Sequence, residues 1–289
     1  MTPPASYQTI WEDWPPNLTP PRPNPDDVDK GSIVHESWNS RLVRVAEAFV
    51  IKYGIHVEPE EGHNMRFVAE STSIPVPKVF AIYQSLDGKK RTATYIVMEY
   101  IPGNTLQELW PELAGSRKAA TAATLRAYFD ELRQLKGPGH IGSNQGNPPR
   151  GDFFSVCDSS SDIVTKPFQT EDEMVECLVN IYEQETRGRL VAKVRYYRQV
   201  LADAIRCGGP FVLTHSDLQK KNIMLQPDGK VVIIDWEYAC WYPAYWEYAT
   251  ATITAGRWDD DWHDHVRMFL DRYDNQAAWL SSMRFEMWT

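Results

Sequence analysis

Two aspartates and an asparagine that could take part in chemistry lie within one short stretch of the chain, which also has an aspartate in its turn PDG. The stretch runs from Thr214 to Glu237 and reads THSDLQKKNIMLQPDGKVVIIDWE. Asp217 and Asn222 lie in its polar part, whereas Asp235 follows the apolar run KVVII. Carboxylate and amide oxygens are the ligand types that Mg²⁺ takes in proteins. These residue types fit a site that orients a hydroxyl group, takes its proton and binds a metal ion.

The sequence around these residues predicts how the chain brings them together. NIMLQ and KVVIID predict short strands joined by the turn PDG, and FVLTH predicts another strand before them. The hairpin returns the chain, so that Asp235 comes beside the loop carrying Asp217 and Asn222. Phosphoryl transfer from ATP to a hydroxyl needs a carboxylate for the proton and two oxygen ligands for Mg²⁺. We therefore expect Asp217 to be the base, and Asn222 and Asp235 to hold the metal.

The rest of the chain predicts an α+β fold in two parts. RLVRV, AFVIKYG, FAIYQSL and TATYIVMEY predict strands within residues 31–100. One helix is expected between them, with Met65, Val68 and Ala69 on one face. After a breaker at IPG and an N-cap at Asn104, the chain is mainly helical. The predicted helices cover residues 116–136, 170–186, 188–206, 243–255, 260–273 and 275–287.

We expect three regions along the chain. Residues 1–30 form an extended arm that packs through Trp11 and Trp14, because prolines and tryptophans occur there with little periodicity. Residues 31–100 form a small β-rich N-terminal lobe that binds the nucleotide. Residues 101–289 form a larger helical lobe for catalysis and acceptor binding.

Composition excludes several classes of function. The chain has 289 residues and a formal net charge of -9, which argues against nucleic acid as a partner. No apolar run approaches the roughly 20 residues of a transmembrane helix, and no signal peptide is recognisable. The four cysteines are far apart and match neither a zinc site nor a redox pair. We expect a cytosolic protein with a small-molecule acceptor, no membrane association and no obligate protein partner.

Several segments together resemble one protein family. HSDLQKKN fits the HxDxxxxN catalytic loop of the kinase-like superfamily, and IIDWE resembles its metal-binding segment. Ile-Asp-Trp-Glu, in place of Asp-Phe-Gly, is similar to the aminoglycoside phosphotransferase and choline kinase branch. The closest resemblance is to fungal proteins of the phosphotransferase enzyme family. FVIKYG, EGHNMRFVAESTSIPVPKVF, YIVMEYIPGNTLQELW and YPAYWEYA agree with it, over roughly residues 35–250. It implies a bilobal protein-kinase-like fold.

The resemblance also implies roles for individual residues. Lys52 would contact the α- and β-phosphates of ATP, and Glu61 would pair with it from the helix, with Glu60 as the alternative. Asp217 would be the catalytic base, supported by His215. Magnesium would bind Asn222 and Asp235, as the residue types already suggest. A hinge would hold the adenine through the backbone of Met98, Glu99, Tyr100 and Ile101.

The acceptor site is less defined by sequence. Glu237, Trp241 and Tyr245 are candidates for an acceptor pocket, together with Tyr242 and Trp246. Packing in the core, beneath the helix that starts near residue 243, is the alternative for the aromatic residues. Acidic runs at residues 171–173 and 259–261 favour a cationic or aminoglycoside-like acceptor, although helix starts and solvation also explain them.

Three departures from the family pattern bear on function. The region before Lys52 has a single glycine, Gly31, where a glycine-rich phosphate loop is common. Ser216 replaces a glycine, and Gly62 lies inside the expected helix, at a cost of up to about 1 kcal/mol relative to Ala.

The leading hypothesis is an ATP- and Mg²⁺-dependent O-phosphotransferase. The alternative is a catalytically weak, pseudokinase-like scaffold; a protein kinase is disfavoured, since too few residues follow Asp235 for an activation loop.

Overall fold

The computed structural model describes residues 7–16, 22–37, 40–87, 89–154, 163–254 and 260–287. The strands are β1 Gln8–Glu12, β2 Ser32–Glu36, β3 Arg41–Val45, β4 Phe49–Gly54, β5 Val79–Leu86, β6 Thr92–Glu99, β7 Asn104–Thr105, β8 Val212–Thr214, β9 Ile223–Leu225, β10 Val231–Ile233 and β11 Cys240–Tyr242. The α-helices are α1 Pro59–Ser71, α2 Leu106–Leu109, α3 Gly115–Leu132, α4 Glu171–Glu185, α5 Val191–Ile205, α6 Trp246–Thr254, α7 Trp262–Phe269 and α8 Asp274–Met287. Short 3₁₀ helices cover Pro25–Lys30, Trp110–Glu112 and Lys220–Asn222.

The chain folds into two compact units. The first unit contains Met1–Asn104 and Met224–Glu237, and the second contains Thr105–Ile223 and Tyr238–Thr289. The expected division at residue 101 therefore differs from the observed one, because the hairpin β9–β10 lies with the first unit. Within this unit, the N–H of Ile233 donates to the carbonyl of Pro75 at 3.1 Å. The predicted turn is present, and the Gln226 N–H donates to Lys230 across it at 2.9 Å.

An antiparallel sheet of six strands forms most of the first unit, in the order β1-β5-β6-β4-β3-β2. The four strands predicted from β-branched and aromatic runs are all present. Strands β1 and β2 were not expected. Strand β1 comes from the predicted arm and pairs with β5, with Gln8 opposite Gln84. Its five residues are too short and too close to prolines to be recognised by alternation; residues 1–6 and 17–21 of the arm lie outside the described residues.

The arm also contributes to the core of the first unit. The ring of Trp14 stacks on Phe80 at 5.5 Å between centroids and meets the edge of Phe49 at 6.3 Å. Trp11 lies beneath the guanidinium of Arg66, at 3.7 Å from its ring centroid. Both tryptophans therefore pack onto the body, as their presence in a proline-rich arm suggested.

Helix α1 lies directly on this sheet. Its buried face contains Glu61, Gly62, Asn64, Met65 and Val68, whereas Ala69 is exposed, contrary to expectation. The buried positions follow steps of three and four residues, and Ala69, four residues after Met65, lies at the exposed edge of this stripe. A Cβ atom on Gly62 would lie 2.6 Å from the Cδ1 atom of Ile82 in β5. The glycine therefore lets α1 approach the sheet closely, which explains a residue with a poor helix propensity.

The second unit is mainly helical. Each of the six helical segments predicted from sequence contains one helix, although α3 ends at Leu132 and α7 at Phe269, each four residues earlier than expected. The N-cap of α2 is Thr105 and not Asn104, because Thr105 and Glu108 form a reciprocal capping box. In the core, Tyr242 stacks on Trp246 at 4.7 Å between centroids. None of the described helices has the length and apolar content to cross a membrane.

Replacing Gly103 with alanine should destabilise the protein. Gly103 has a φ of +123°, and a Cβ atom there would lie 2.4 Å from the carbonyl oxygen of Leu225 in β9. Backbone strain and the clash should together lower the free energy of unfolding by about 2–4 kcal/mol. Urea denaturation measures this loss. Gly139→Ala is the matched control, since its φ of +82° is also positive but a Cβ there meets nothing within 4 Å. Equal losses in the two variants would contradict the steric argument.

Candidate active site

A buried lysine in the first unit is surrounded by carboxylates. The Nζ atom of Lys52, in β4, lies 2.7 Å from Glu61 Oε2 and 2.7 Å from Asp235 Oδ1. Glu237 Oε2 is 3.5 Å from the same nitrogen. The side chain of Lys52 is 13% exposed and that of Glu61 only 1%. Strand β4, helix α1 and the segment after β10 therefore bring four of the predicted residues together, and Glu61 is the partner of Lys52.

The charges in this cluster do not balance. Burial alone would lower the pKa of Lys52, but the negative charges of Glu61, Asp235 and Glu237 raise it above its usual range. Burial raises the pKa of Glu61 to about 7; the charge of Lys52 opposes this shift, and those of Asp235 and Glu237 add to it. One ammonium group therefore faces three carboxylates, and the cluster gains from a further cation or from a bound proton.

The backbone around Asp235 explains how its side chain reaches Lys52. Asp235 has a φ of 64°, in the left-handed region that non-glycine residues seldom adopt. The next residue, Trp236, is fully buried, and its Nε1 donates to the carbonyl of Ile233 at 3.0 Å. Asn64 of α1 donates to the carbonyl of Trp236 at 2.9 Å. The chain is thus held on both sides of Asp235, and the helix that carries Glu61 supplies one of the anchors.

Asp217 lies in a loop of the second unit, and both of its carboxylate oxygens accept hydrogen bonds from side chains of that loop. Gln219 donates to Oδ1, and Asn222 donates to Oδ2 at 2.9 Å and to the Asp217 carbonyl at 2.8 Å. The Nζ atom of Lys221 lies 3.3 Å from Oδ2. Asp217 and Asn222 are therefore direct neighbours, and the Asn222 ligand atom for a metal would be Oδ1, because its amide nitrogen faces Asp217. Sequence reasoning missed Gln219 and Lys221.

A buried glutamate fixes the start of this loop. Glu247 of α6 is fully buried, and its two carboxylate oxygens accept the N–H groups of His215 at 2.6 Å and Ser216 at 3.1 Å. Burial raises the pKa of Glu247, against the charges of His215 and Arg133 and the two N–H donors. Ser216 has a φ of 70°, which accounts for the glycine found there in the family pattern. Glu247 was not predicted, although one acidic residue within the apolar run YPAYWEYA is a recognisable indication.

His215 supports the same loop. Its ring is fully buried, and its Nδ1 accepts the N–H of Asp217 at 3.3 Å. The imidazole therefore lies beneath the loop, in the supporting position that the resemblance implies.

The predicted hinge is partly engaged within the first unit. The N–H of Glu99 donates to Lys78 at 2.8 Å, and the N–H of Tyr100 donates to Ala48 at 2.9 Å. These two N–H groups are therefore occupied by protein carbonyls. Met98 is buried, whereas Ile101 follows the end of the sheet and is half-buried.

The residues expected to form the acceptor pocket do not lie together on a surface. Trp241 and Tyr245 are fully buried in the second unit, as are Tyr242 and Trp246, so the core interpretation of these rings is correct. Large aromatic rings contribute most to stability when they are fully removed from water, which favours this packing. Glu237 lies in the first unit, in the Lys52 cluster.

The acidic runs serve helix ends and ion pairs. Glu171 accepts the N–H of Gly208 at 2.9 Å, and Asp172 pairs with Arg206. Asp261 binds Lys118 at 2.8 Å. Asp260 pairs with Lys220, and Asp259 lies outside the described residues. Because these acidic side chains already have partners within the protein, the two runs no longer favour a cationic acceptor.

The residues present fit a magnesium ion. Among the described residues, ligand atoms of Glu61, Asp235 and Glu237 lie within 4.8 Å of one another. They are hard oxygen donors and, when all three are ionised, they carry three negative charges against the single positive charge of Lys52, which suits a divalent cation with oxygen ligands. The Asn222 amide oxygen, in the second unit, is also of the required type.

Glu61→Gln should flatten the dependence of stability on pH between about 4.5 and 7. In the wild type, burial raises the pKa of Glu61 from 4.5 to about 7. A raised pKa stabilises the folded protein below pH 4.5, and this contribution is lost as the pH rises towards 7. The lost component should be on the order of 1–3 kcal/mol. Glutamine does not ionise, so the variant should lack it.

Urea denaturation at a series of pH values measures this effect. Glu60→Gln, on the same helix, is the control and should keep the wild-type slope. Parallel curves for wild type and Glu61→Gln would contradict the assignment of the raised pKa to Glu61.

Comparison with known proteins places the chain among phosphotransferases. A thermostable mutant of aminoglycoside phosphotransferase APH(4)-Ia shares 18% identity, with a TM-score of 0.59 over 89% of this chain and 84% of that one. The GDP and kanamycin complex of APH(2")-IIia shares 11% identity, with a TM-score of 0.55 over 88% and 83%. The streptomycin-ATP-APH(2")-IIa ternary complex shares 16% identity, with a TM-score of 0.50 over 78% and 72%.

At these identities the structural likeness shows the fold, which is kinase-like, as predicted. No curated protein matches the sequence significantly. The model of the phosphotransferase enzyme family matches residues 57–283, which include the predicted catalytic loop and the metal-binding segment. Since this match covers well over half of the sequence, the chain belongs to the phosphotransferase enzyme family.

Proposed function

We propose that this protein transfers the γ-phosphoryl group of ATP to a hydroxyl group of a small molecule, with Mg²⁺. The observation that carries the proposal is the buried ammonium group of Lys52, held at 2.7 Å by both Glu61 and Asp235. A buried lysine surrounded by oxygen ligands for a metal is the combination that binds a nucleotide phosphate chain. Membership of the phosphotransferase family supports this reading.

In the first unit, Lys52 would bind the α- and β-phosphates. Glu61 holds the ammonium group in place through their ion pair. Asp235, with Asn222, would bind Mg²⁺, which supplies charge neutralisation on the phosphate oxygens when bound. Glu237 offers a further carboxylate at the same cluster.

In the second unit, Asp217 would orient the acceptor and take its proton. The acceptor oxygen attacks the γ-phosphorus atom, the bond to the β,γ-bridging oxygen breaks, and ADP leaves with that electron pair. The hydroxyl proton passes to the Asp217 carboxylate. Asn222 and Gln219 hold this carboxylate in a fixed orientation, which lowers the entropic cost of the reaction.

ATP is the donor that we propose, and a small hydroxylated compound is the acceptor. The structure of APH(2")-IIa was obtained with ATP and streptomycin, and that of APH(2")-IIia with GDP and kanamycin. Both are complexes with a nucleotide and a small hydroxylated molecule, which supports the class of reaction. The occupied N–H groups of Glu99 and Tyr100 leave fewer backbone donors for a base than the expected hinge provides.

ATP with Mg²⁺ should raise the melting temperature of the protein. A ligand that binds only the folded state adds RT ln(1 + [L]/Kd) to its stability, roughly 2.7 kcal/mol at a hundredfold excess over Kd. Lys52→Ala should abolish most of the rise, because it removes the phosphate contact. Lys89→Ala, an exposed lysine of the same unit, should keep it. Differential scanning fluorimetry measures both. If millimolar ATP and Mg²⁺ leave the wild-type melting temperature unchanged, the scaffold alternative replaces the enzyme.

Asp217→Asn and Asp235→Asn should both abolish turnover, but for different reasons. Asp235→Asn removes the negative charge of a metal ligand, so nucleotide affinity in the presence of Mg²⁺ should fall at least tenfold. Asp217→Asn removes only the proton acceptor, so that affinity should change by less than about threefold. Isothermal titration with a non-hydrolysable ATP analogue and Mg²⁺ compares them. Asp228→Asn, in the hairpin turn, is the control for substitution in the same segment. Equal losses of affinity in the Asp217 and Asp235 variants would refute this division of roles.

A further inference from the structure

A pocket of the second unit opens beside Asp217. It lies between the loop after residue 149, helix α6 and the end of helix α8. Asp217 and Ser216 form part of its wall, so a group bound at its opening would lie near the proposed base. Of the aromatic residues that the sequence analysis considered, Trp246 lines this pocket, whereas Trp241 and Tyr245 do not.

The charged residues that line this pocket include two arginines. Among the described lining residues, the charged ones are Arg150, Asp152, Asp217 and Arg284. Asp152 and Arg284 form an ion pair, with side chains 50% and 25% exposed. If Asp217 is reserved for the acceptor proton, the other three groups carry a net positive charge. An aminoglycoside carries several positive charges, and this lining offers it a single further carboxylate that already has a partner.

The loop that carries Arg150 is fixed to the core. The hydroxyl of Tyr242, a fully buried residue, donates to the carbonyl oxygen of Arg150 at 3.0 Å. The N–H of Phe154 donates to Gly151 at 2.8 Å and closes a turn just after it. The ring of Phe154 stacks on Trp246 at 5.5 Å between centroids. The backbone of Arg150 is therefore held by contacts within the protein while its side chain is exposed, and the ion pair with Asp152 holds the side chain of Arg284 on α8.

We propose that the acceptor is a hydroxylated compound with an anionic group, a carboxylate or a phosphate, which Arg150 and Arg284 bind while its hydroxyl faces Asp217. This inference rests on the proposed function, since it names the substrate class for the same site. Guanidinium groups present paired donors that match the oxygens of carboxylates and phosphates, and they stay charged at all physiological pH values. Arg284 lines the pocket while paired with Asp152, so an incoming anion would share its donors with that carboxylate.

The test compares probes that differ mainly in charge. Glucuronate, glucose 6-phosphate, glucose and glucosamine are titrated into the nucleotide-free full-length protein and followed by saturation-transfer NMR. At least one of the two acids should bind with a Kd about tenfold or more below that of glucose, and glucosamine should bind more weakly than either acid. The ranking of glucuronate and glucose 6-phosphate shows whether a carboxylate or a phosphate is preferred. Equal binding of all four probes, tighter binding of glucosamine, or no binding up to tens of millimolar would overturn the proposal.

Variants link the preference to the two arginines. Arg150→Gln and Arg284→Gln should each weaken binding of the preferred acid about tenfold, whereas Arg195→Gln, an exposed arginine of α5, should leave it unchanged. Asp152→Asn removes the competing carboxylate and should strengthen binding of the acid. If the pocket binds cations, Asp152→Asn should weaken ligand binding. Weaker binding in this variant would overturn the inference even if an arginine variant failed to fold.

Turnover separates this inference from the proposed function. The preferred acid should accelerate ADP release from ATP and Mg²⁺, and Arg150→Lys should retain more of this acceleration than Arg150→Gln. Acid binding without any ATP-induced thermal shift would reject the phosphotransferase function and leave the anion preference standing. A normal ATP-induced shift with acceleration only by glucosamine or kanamycin would reject the anion preference and keep the phosphotransferase.

Discussion

The buried ammonium group of Lys52 governs the arrangement of the first unit. A charged group that is largely removed from water is costly unless opposite charges meet it at short distance. Here Glu61 and Asp235 do so, both at 2.7 Å. That requirement explains why α1 must approach the sheet closely, which Gly62 permits, and why the chain after β10 adopts a left-handed residue at Asp235. The ion pairs of Lys52 thus link strand β4 to helix α1 and to the segment after β10.

The second unit also contains a buried charged group, in this case a carboxylate. The carboxylate of Glu247 is fully buried, and the backbone N–H groups of His215 and Ser216 stabilise it. In return, Glu247 fixes the backbone of His215 and Ser216, the two residues that directly precede Asp217. Both units therefore use a buried charged side chain to define the position of a more accessible one. Removing a partner from such an arrangement leaves an uncompensated charge, which costs more than the loss of a surface contact.

Much of this architecture could be predicted from the sequence. Strands β3 to β6 and one helix in each segment from α3 to α8 lie where the β-branched runs and the helical segments of the sequence predicted them. Lys52, Asp217 and Asn222 were recognised because they occur in order within characteristic local sequences. Strand β1 escaped prediction because edge pairing depends on a partner some seventy residues away, which local pattern does not reveal.

The acceptor side was the least predictable part. Aromatic residues such as Trp241 and Tyr245 suit a sugar-binding surface and a protein core equally well by type, and only the packed structure shows that they are core. The role of Glu247 depends on a contact with residues more than thirty positions earlier. Arg150 was overlooked because it occurs in a stretch rich in glycine and proline, where neither periodicity nor a motif points to it.

The discontinuous composition of the first unit has a consequence for synthesis of the protein. Residues Met224–Glu237 complete this unit, although its sheet ends at Glu99 in β6. During translation, the ribosome makes the whole sheet long before it makes Asp235, so Lys52 at first has only Glu61 as a nearby carboxylate partner. The nascent N-terminal segment then has the Lys52–Glu61 pair without the carboxylates of Asp235 and Glu237, and an uncovered Pro75 carbonyl, for the time needed to add more than a hundred residues. Contacts of such long sequence separation slow folding and favour engagement by chaperones. The same residues that assemble the nucleotide site therefore delay completion of the first unit until most of the polypeptide has left the ribosome.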